Sequence, residues 1–126
     1  MEVILDTSFI LTCLKEGVDF LEASEYGKLL LPELVLLELE KLRRGKGRRK
    51  EQASLALTIL EKNKDKFNII SLEKKYADAG IKKYVENAVT EGKRVIVATM
   101  DKELKEALKG RARILVIRAR KKLGLV

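Results

Sequence analysis

The chain has no histidine and no tryptophan, and its 126 residues include one cysteine, one proline, three Tyr and three Phe. Each shortage removes a class of chemistry. Without histidine there is no Ser-His-Asp or Cys-His nucleophilic machinery, no histidine zinc site and no imidazole general base. Cys13 stands alone, which excludes an internal disulfide framework and fits a reducing, cytoplasmic setting. No apolar run approaches the roughly 20 residues of a membrane span. No basic stretch leading into a long apolar segment opens the chain as a secretory signal would. No membrane partner is therefore expected, and with so few aromatics base stacking is a weak prospect.

What remains is apolar and charged. Hydrophobic residues make up 46% and charged residues 37%, the composition of a folded chain, and the length suits one domain over residues 1–126. Lys and Arg number 27 against 19 Asp and Glu, a net charge of +8 that favours a polyanionic partner. Abundant Glu and Lys with little Gln, Asn or Met also fits a thermophile's surface, and the two readings are compatible.

Val3-Ile4-Leu5 is a short β-branched apolar run followed at once by Asp6, Thr7 and Ser8. Such a run reads as a strand buried on both faces, with Asp6 at the carboxyl end, where open α/β sheets hold their ligands. Ser8 can cap a helix through Phe9, Ile10, Leu11 and Leu14 that ends at Gly17. An amphipathic stretch, 18–26, leads to a buried strand at Leu29-Leu30-Leu31. Pro32 opens a helix over 33–43. Residues 43–50 read as a basic loop with two glycines, and 51–64 as a helix with Leu55, Ile59 and Leu60 on one stripe. A third strand at 67–70 belongs nearer an edge. Residues 76–91 read as a helix closed by Gly92, and 95–98 as a buried strand. Residues 101–108 form a further helix ended by Gly110, 114–117 the last strand, and 118–122 a basic tail. Strands alternating with amphipathic helices indicate a three-layer α/β/α sandwich with a mainly parallel central sheet of four to five strands.

Four carboxylates break this pattern. At about 100° per residue, Leu34, Val35, Leu37, Leu39 and Leu42 share a face of their helix, and Glu38 lies within it. A carboxylate on an apolar stripe is paired with a base or bound to something. Asp78 falls between Val85 and Val89 on the inner face of its helix, which also holds Ile81, Tyr84 and Ala88. Asp101 follows the strand at 95–98 and so emerges on the same sheet edge as Asp6. Either aspartate could instead serve its helix N-terminus. Together the four suggest one acidic pocket, and all-oxygen ligands suit Mg²⁺ or Mn²⁺. Without these four acids the balance is 27 basic against 15 acidic residues, +12. An acidic metal pocket in a basic surface is what phosphodiester hydrolysis requires.

The residues Val3-Ile-Leu-Asp-Thr-Ser8, Pro32-Glu-Leu-Val-Leu-Leu-Glu-Leu-Glu-Lys-Leu42, Ala77-Asp-Ala79 and Val97-Ala-Thr-Met-Asp-Lys-Glu-Leu104 resemble, in order and spacing, the four signature blocks of PIN-domain ribonucleases. The chain is most similar to archaeal proteins related to the eukaryotic small-subunit rRNA-processing PIN nucleases, and more distantly to VapC-like toxins. The resemblance implies that Asp6, Glu38, Asp78 and Asp101 coordinate Mg²⁺ or Mn²⁺. It implies too that Thr99, with Thr7 or Ser8, orients carboxylates or water. It further implies RNA as substrate, a homodimer, and a ribosomal precursor or an antitoxin as partner. Two positions depart from the pattern: Met100 stands where many relatives carry Asn, and Ala77 where a second acid often stands.

The basic residues Arg43, Arg44, Lys46, Arg48, Arg49 and Lys50 can close over an RNA backbone, and Arg118 and Arg120, grouped with Arg111, Arg113, Lys121 and Lys122, can extend that grip. A solvated charge run is the bland alternative. Gly45-Lys-Gly47 lacks the spacing of a Walker loop, and Ser8 stands where an aspartyl phosphotransferase needs its second aspartate. The expected activity is a metal-dependent endoribonuclease. The alternatives are a non-catalytic RNA-binding or ribosome-assembly module of the same fold, and the toxin half of a toxin–antitoxin pair.

Overall fold

Strand β1 (Glu2–Leu5) sends Val3 and Leu5 to one face of a sheet and Ile4 to the other, and none of the three is exposed. Burying each contributes roughly 1.5–3 kcal/mol. The computed structural model describes all residues, Met1–Val126. The same alternation repeats in β2 (Lys28–Pro32), β4 (Val95–Ala98) and β5 (Arg113–Arg118). Leu29, Leu31, Ile96, Ala98 and Leu115 join Val3 and Leu5, whereas Leu30, Val95, Val97, Ile114 and Val116 join Ile4. Helices α1 (Thr7–Glu16), α2 (Glu33–Arg43) and α3 (Arg48–Lys62) cover the first face. Helices α4 (Ala77–Thr90) and α5 (Lys102–Leu108) cover the second. A sheet buried on both sides needs apolar residues at every strand position, which is why these strands read as unbroken runs.

Strand β3 (Asn68–Ile70) lies at one edge and β6 (Lys122–Leu125) at the other, in the order β3-β2-β1-β4-β5-β6. Every pair is parallel except β5–β6. From β1 the chain builds outward through β2 and β3, then returns to β4 on β1's other side. The carboxyl ends of β1 and β4 therefore flank a topological switch point, where such sheets place ligands. Beyond the paired ends the Asp6 amide still donates to the Ala98 carbonyl at 3.0 Å.

The three-layer, mainly parallel architecture agrees with the sequence, and an edge position for β3 does too. The sheet has six strands because the tail, expected as a loose basic segment, folds back as β6. Gly124 makes room there. A Cβ at Gly124 would stand 2.5 Å from the Arg118 side chain, whose guanidinium donates to the Leu125 carbonyl. Residues 18–26 contain a 3-10 turn at Phe20–Glu25. Three expected core residues are instead exposed: Leu37 on α2, Leu55 on α3 and Val89 on α4. The buried stripe of α3 is Ala53, Ala56 and Leu60. The α2–α3 pair packs closely through small alanines, so the stripe is narrower than a leucine count suggests. No helix is long and apolar enough to cross a membrane.

Helix α4 is brought close by Gly80, where a Cβ would lie 2.6 Å from the Leu72 Cβ. Alanine would gain about 1 kcal/mol of helix propensity, but overpacking typically costs about 1–3 kcal/mol, and the clash is with a side-chain root that cannot swing away. Gly80→Ala is expected to lower stability in urea unfolding by roughly 1–2 kcal/mol. Adding Leu72→Ala should recover part of that loss, whereas additive losses would show that the contact is not limiting.

Candidate active site

Asp6 is 4% exposed, directly after a strand buried on both faces, and this decides what its neighbours must be. A buried carboxylate needs donors. Two hydroxyls supply them: Thr99 Oγ1 donates to Asp6 Oδ2 at 2.7 Å and Ser8 Oγ donates to the same oxygen at 2.8 Å. Each hydroxyl has one proton, so the 3.1 Å approach between Ser8 Oγ and Thr99 Oγ1 is a contact without a shared hydrogen. As acceptors these hydroxyls take the backbone amides of Met100, at 3.0 Å, and Asp101, at 3.1 Å. One network thus ties β1, α1 and the β4–α5 connection together. Ser8 was expected to cap α1. Asp6 holds the N-cap position instead, and Ser8, two residues on within the first turn, aims its hydroxyl at Asp6.

The other acids arrive from three elements. Glu38 on α2 accepts from Thr7 Oγ1 at 2.7 Å through Oε2. Asp101 caps α5, its Oδ1 accepting from the amides of Glu103 at 2.9 Å and Leu104 at 3.2 Å. Asp78 stands in the first turn of α4 without a hydrogen-bond partner of its own. In Asp6, Glu38 and Asp101 alike, one carboxylate oxygen is committed and the other has no side-chain donor. All four acids line a single open cleft of about 530 Å³ together with Lys41, Lys46 and Arg49.

None of the four is in an ion pair; the chain's two pairs are Lys64–Glu61 and Lys93–Glu91. Burial, outweighing the Thr99 and Ser8 hydroxyls and the Thr7 backbone, pushes the Asp6 pKa above the usual carboxylate range, and the Asp101 charge adds to this. Glu38 is also raised, first by burial and then by the charges of Asp6 and Asp78, against the pull of Thr7. Asp78 is raised by partial burial and by Asp6 and Asp101, with Lys82 opposing. By surface area Glu38 and Asp78 are exposed. That exposure leaves Asp6 as the one acid the fold itself keeps from water.

The donor set fits a hard divalent cation: only oxygens, no neutralising base, and mutual repulsion that a cation would relieve. It is not a finished cage, since no three of the acids close on one point. Thr99, fully buried, lies beneath the cleft and is joined to it through Asp6, Ser8 and the Asp101 backbone.

The basic residues divide. Lys46 and Arg49 share the acid cleft. Arg48, Arg49 and Lys50 form the first turn of α3 rather than a loop, which is confined to residues 44–47. Arg43 lines a separate cavity of about 770 Å³ between α2, α3 and β3, which holds none of the four acids. Arg44, Arg48 and Lys50 are exposed outside the cleft. Arg118 and Arg120 line a neighbouring hollow of about 360 Å³ beside Met100, with Arg118 committed to the Leu125 carbonyl. Arg111 and Arg113 lie at the far end of β5, so the expected single C-terminal cluster is two. Sequence reasoning passed over Lys41; its signal was the three-residue spacing from Glu38 on one helix.

A family model described as a PIN like domain matches residues 3–122. Ribonuclease VapC4 of Methanocaldococcus jannaschii is 32% identical over 129 residues, covering 95% of this chain and 92% of that protein. The solved structure of the PIN domain endonuclease Utp24 is similar with a TM-score of 0.73 at 28% identity, over 98% of this chain and 90% of the other. The D15 flap endonuclease of bacteriophage T5 is similar in fold alone, with a TM-score of 0.56 at 14% identity over 97% of this chain and 56% of that one.

The raised pKa of Asp6 carries a stability consequence. An acid raised in the folded state costs nothing below its unfolded pKa, near 3.8; the cost grows as pH rises above that value and is complete once pH passes the folded pKa. In chelator, Asp6→Asn should therefore melt above wild type at neutral pH, and the gain should vanish below 3.8. A gain independent of pH, read by thermal melts across that range, would show that burial of charge is not its source.

Proposed function

The chain belongs to the PIN-like domain family, and from that premise we propose that it is an endoribonuclease that hydrolyses RNA phosphodiester bonds with Mg²⁺ or Mn²⁺. The observation that carries the reading is the set of four acids on one cleft, free of ion pairs, three of them with one oxygen committed and one available. Asp6, Glu38, Asp78 and Asp101 would hold the cation. When bound, such an ion neutralises charge at a scissile phosphate and lowers the pKa of water.

The chain's own residues do the rest. Ser8 and Thr99 fix the rotamer of Asp6, and Thr7 steadies Glu38, so two of the acids meet the ion already oriented. Lys41, Lys46 and Arg49 would hold the phosphates on either side of the cleaved bond. The formal charge of the cleft makes the metal decisive. Four acids against three bases leave it one charge negative, and one divalent cation turns it one positive. An RNA backbone is repelled in the first state and drawn in by the second. Within RNA, ribosomal precursor is the substrate we favour, on the resemblance of the four motif blocks to small-subunit processing nucleases. A small protein copurifying in fixed ratio would favour the toxin setting.

The test is cleavage of a generic RNA with Mn²⁺ and with chelator. Wild type should cut only with metal, and Asp6→Asn should lose at least about 100-fold in rate while keeping its fold. Equal RNA binding by both proteins, with no cleavage under any divalent metal, would instead identify a non-catalytic RNA-binding module.

A further inference from the structure

We propose that the pole of the molecule opposite the acids is a second binding surface for RNA backbone, formed by Lys93, Arg94, Lys105, Lys109, Arg111 and Arg113. These residues are spread over twenty-one positions of sequence, and the parallel sheet gathers them. Lys93 and Arg94 precede β4, Lys105 and Lys109 end α5, and Arg111 and Arg113 lead into β5. All six line one cavity of about 650 Å³ at the amino ends of β4 and β5, against a single acid side chain, Glu106. Five of the six have no ion-pair partner; Lys93 pairs with Glu91 at 3.3 Å. Five are exposed and Lys105 is half-buried.

Unpaired bases massed on one face repel one another, and a folded chain gains nothing from holding them there unless an anion joins them. The lining contains no Phe or Tyr, so the surface offers phosphate contacts and no stacking platform. Its floor is rigid, made by the buried Val95, Ile96 and Ile114. A lipid surface is a poorer match, because no amphipathic helix presents an apolar face beside the bases. An extended polyanion fits better. The four residues of β4, at about 3.3 Å each, set this face at least about 13 Å from the acid pole. An RNA engaged in the cleft must therefore be long enough to pass around the sheet edge before it gains the second grip. Affinity should then rise with RNA length beyond what the cleft alone provides.

This inference rests on RNA being the substrate. The experiment measures binding by the full chain with Ca²⁺ in place of the catalytic metal, which gives the cleft its positive charge without rapid turnover, for a short single-stranded oligonucleotide and for one several times longer. The triple variant K109E/R111E/R113E should weaken the long RNA by about tenfold or more and lower its log–log salt slope by about 2, at roughly 0.7 per phosphate contact. Binding and metal-dependent cleavage of the short RNA should stay unchanged, since none of the three touches the cleft. The milder K109Q/R111Q/R113Q variant, with circular dichroism melts of both, separates lost binding from lost folding. Equal affinity of wild type for both lengths, or an unchanged long-RNA affinity in both variants, overturns the proposal. So does tighter binding of poly-glutamate than of RNA at this face, which would mark an acidic protein as the partner. Absent cleavage with intact length dependence would count against the nuclease reading alone, and lost length dependence with intact cleavage against this one alone.

Discussion

A carboxylate left at the end of a doubly buried strand is the constraint around which this molecule is arranged. Asp6 cannot be solvated where it sits, and the fold answers with two hydroxyl donors on one oxygen. Those bonds lower its pKa, burial raises it, and burial prevails. The stabilisation supplied by Ser8 and Thr99 is therefore incomplete. The same hydroxyls accept the amides of Met100 and Asp101, so the group that steadies Asp6 also sets where Asp101 begins its helix. A change at Thr99 would disturb two acids at once, one through a hydrogen bond and one through the backbone.

Much of this was legible in the residues. A charge after Val-Ile-Leu, and another after a second buried strand, can only emerge at the carboxyl edge of a parallel sheet, and β1 and β4 turned out to be neighbours. Glu38 was found for a reason that was only partly right. It was expected in the middle of an apolar face, whereas Val35 and Leu39 are buried and Leu37 and Glu38 are exposed. Helix α2 packs on the sheet and on α3 at once, so its leucines spread round more of the helix than a single stripe. Met100, which replaces an expected Asn, contributes its backbone amide to Ser8 and its side chain to the second core, and neither role needs the amide side chain.

The basic residues were the least legible part. A run of bases in sequence says nothing about which end of a strand each occupies. Arg111 to Lys122 reads as one cluster, yet β5 runs through it and sends its members to opposite poles. Arg118, expected to face RNA, is held by the Leu125 carbonyl of a strand that sequence periodicity did not reveal, since Lys-Leu-Gly-Leu is too short and too mixed to signal one. Arg120 and Lys121 sit in left-handed backbone at the turn joining β5 to β6, a conformation that side-chain chemistry alone would not suggest. The resulting molecule has an acidic cleft at one pole and bases at both, a charge layout set by strand direction.

Soaking a crystal in Mn²⁺ and recording its anomalous scattering examines the metal requirement most directly. One or two strong peaks bounded by the free oxygens of Asp6, Glu38, Asp78 and Asp101, absent from Asp6→Asn crystals, are the expected result. A cleft without a peak at saturating Mn²⁺, or with Lys41 or Arg49 swung in to neutralise the acids, would contradict a metal-dependent nuclease.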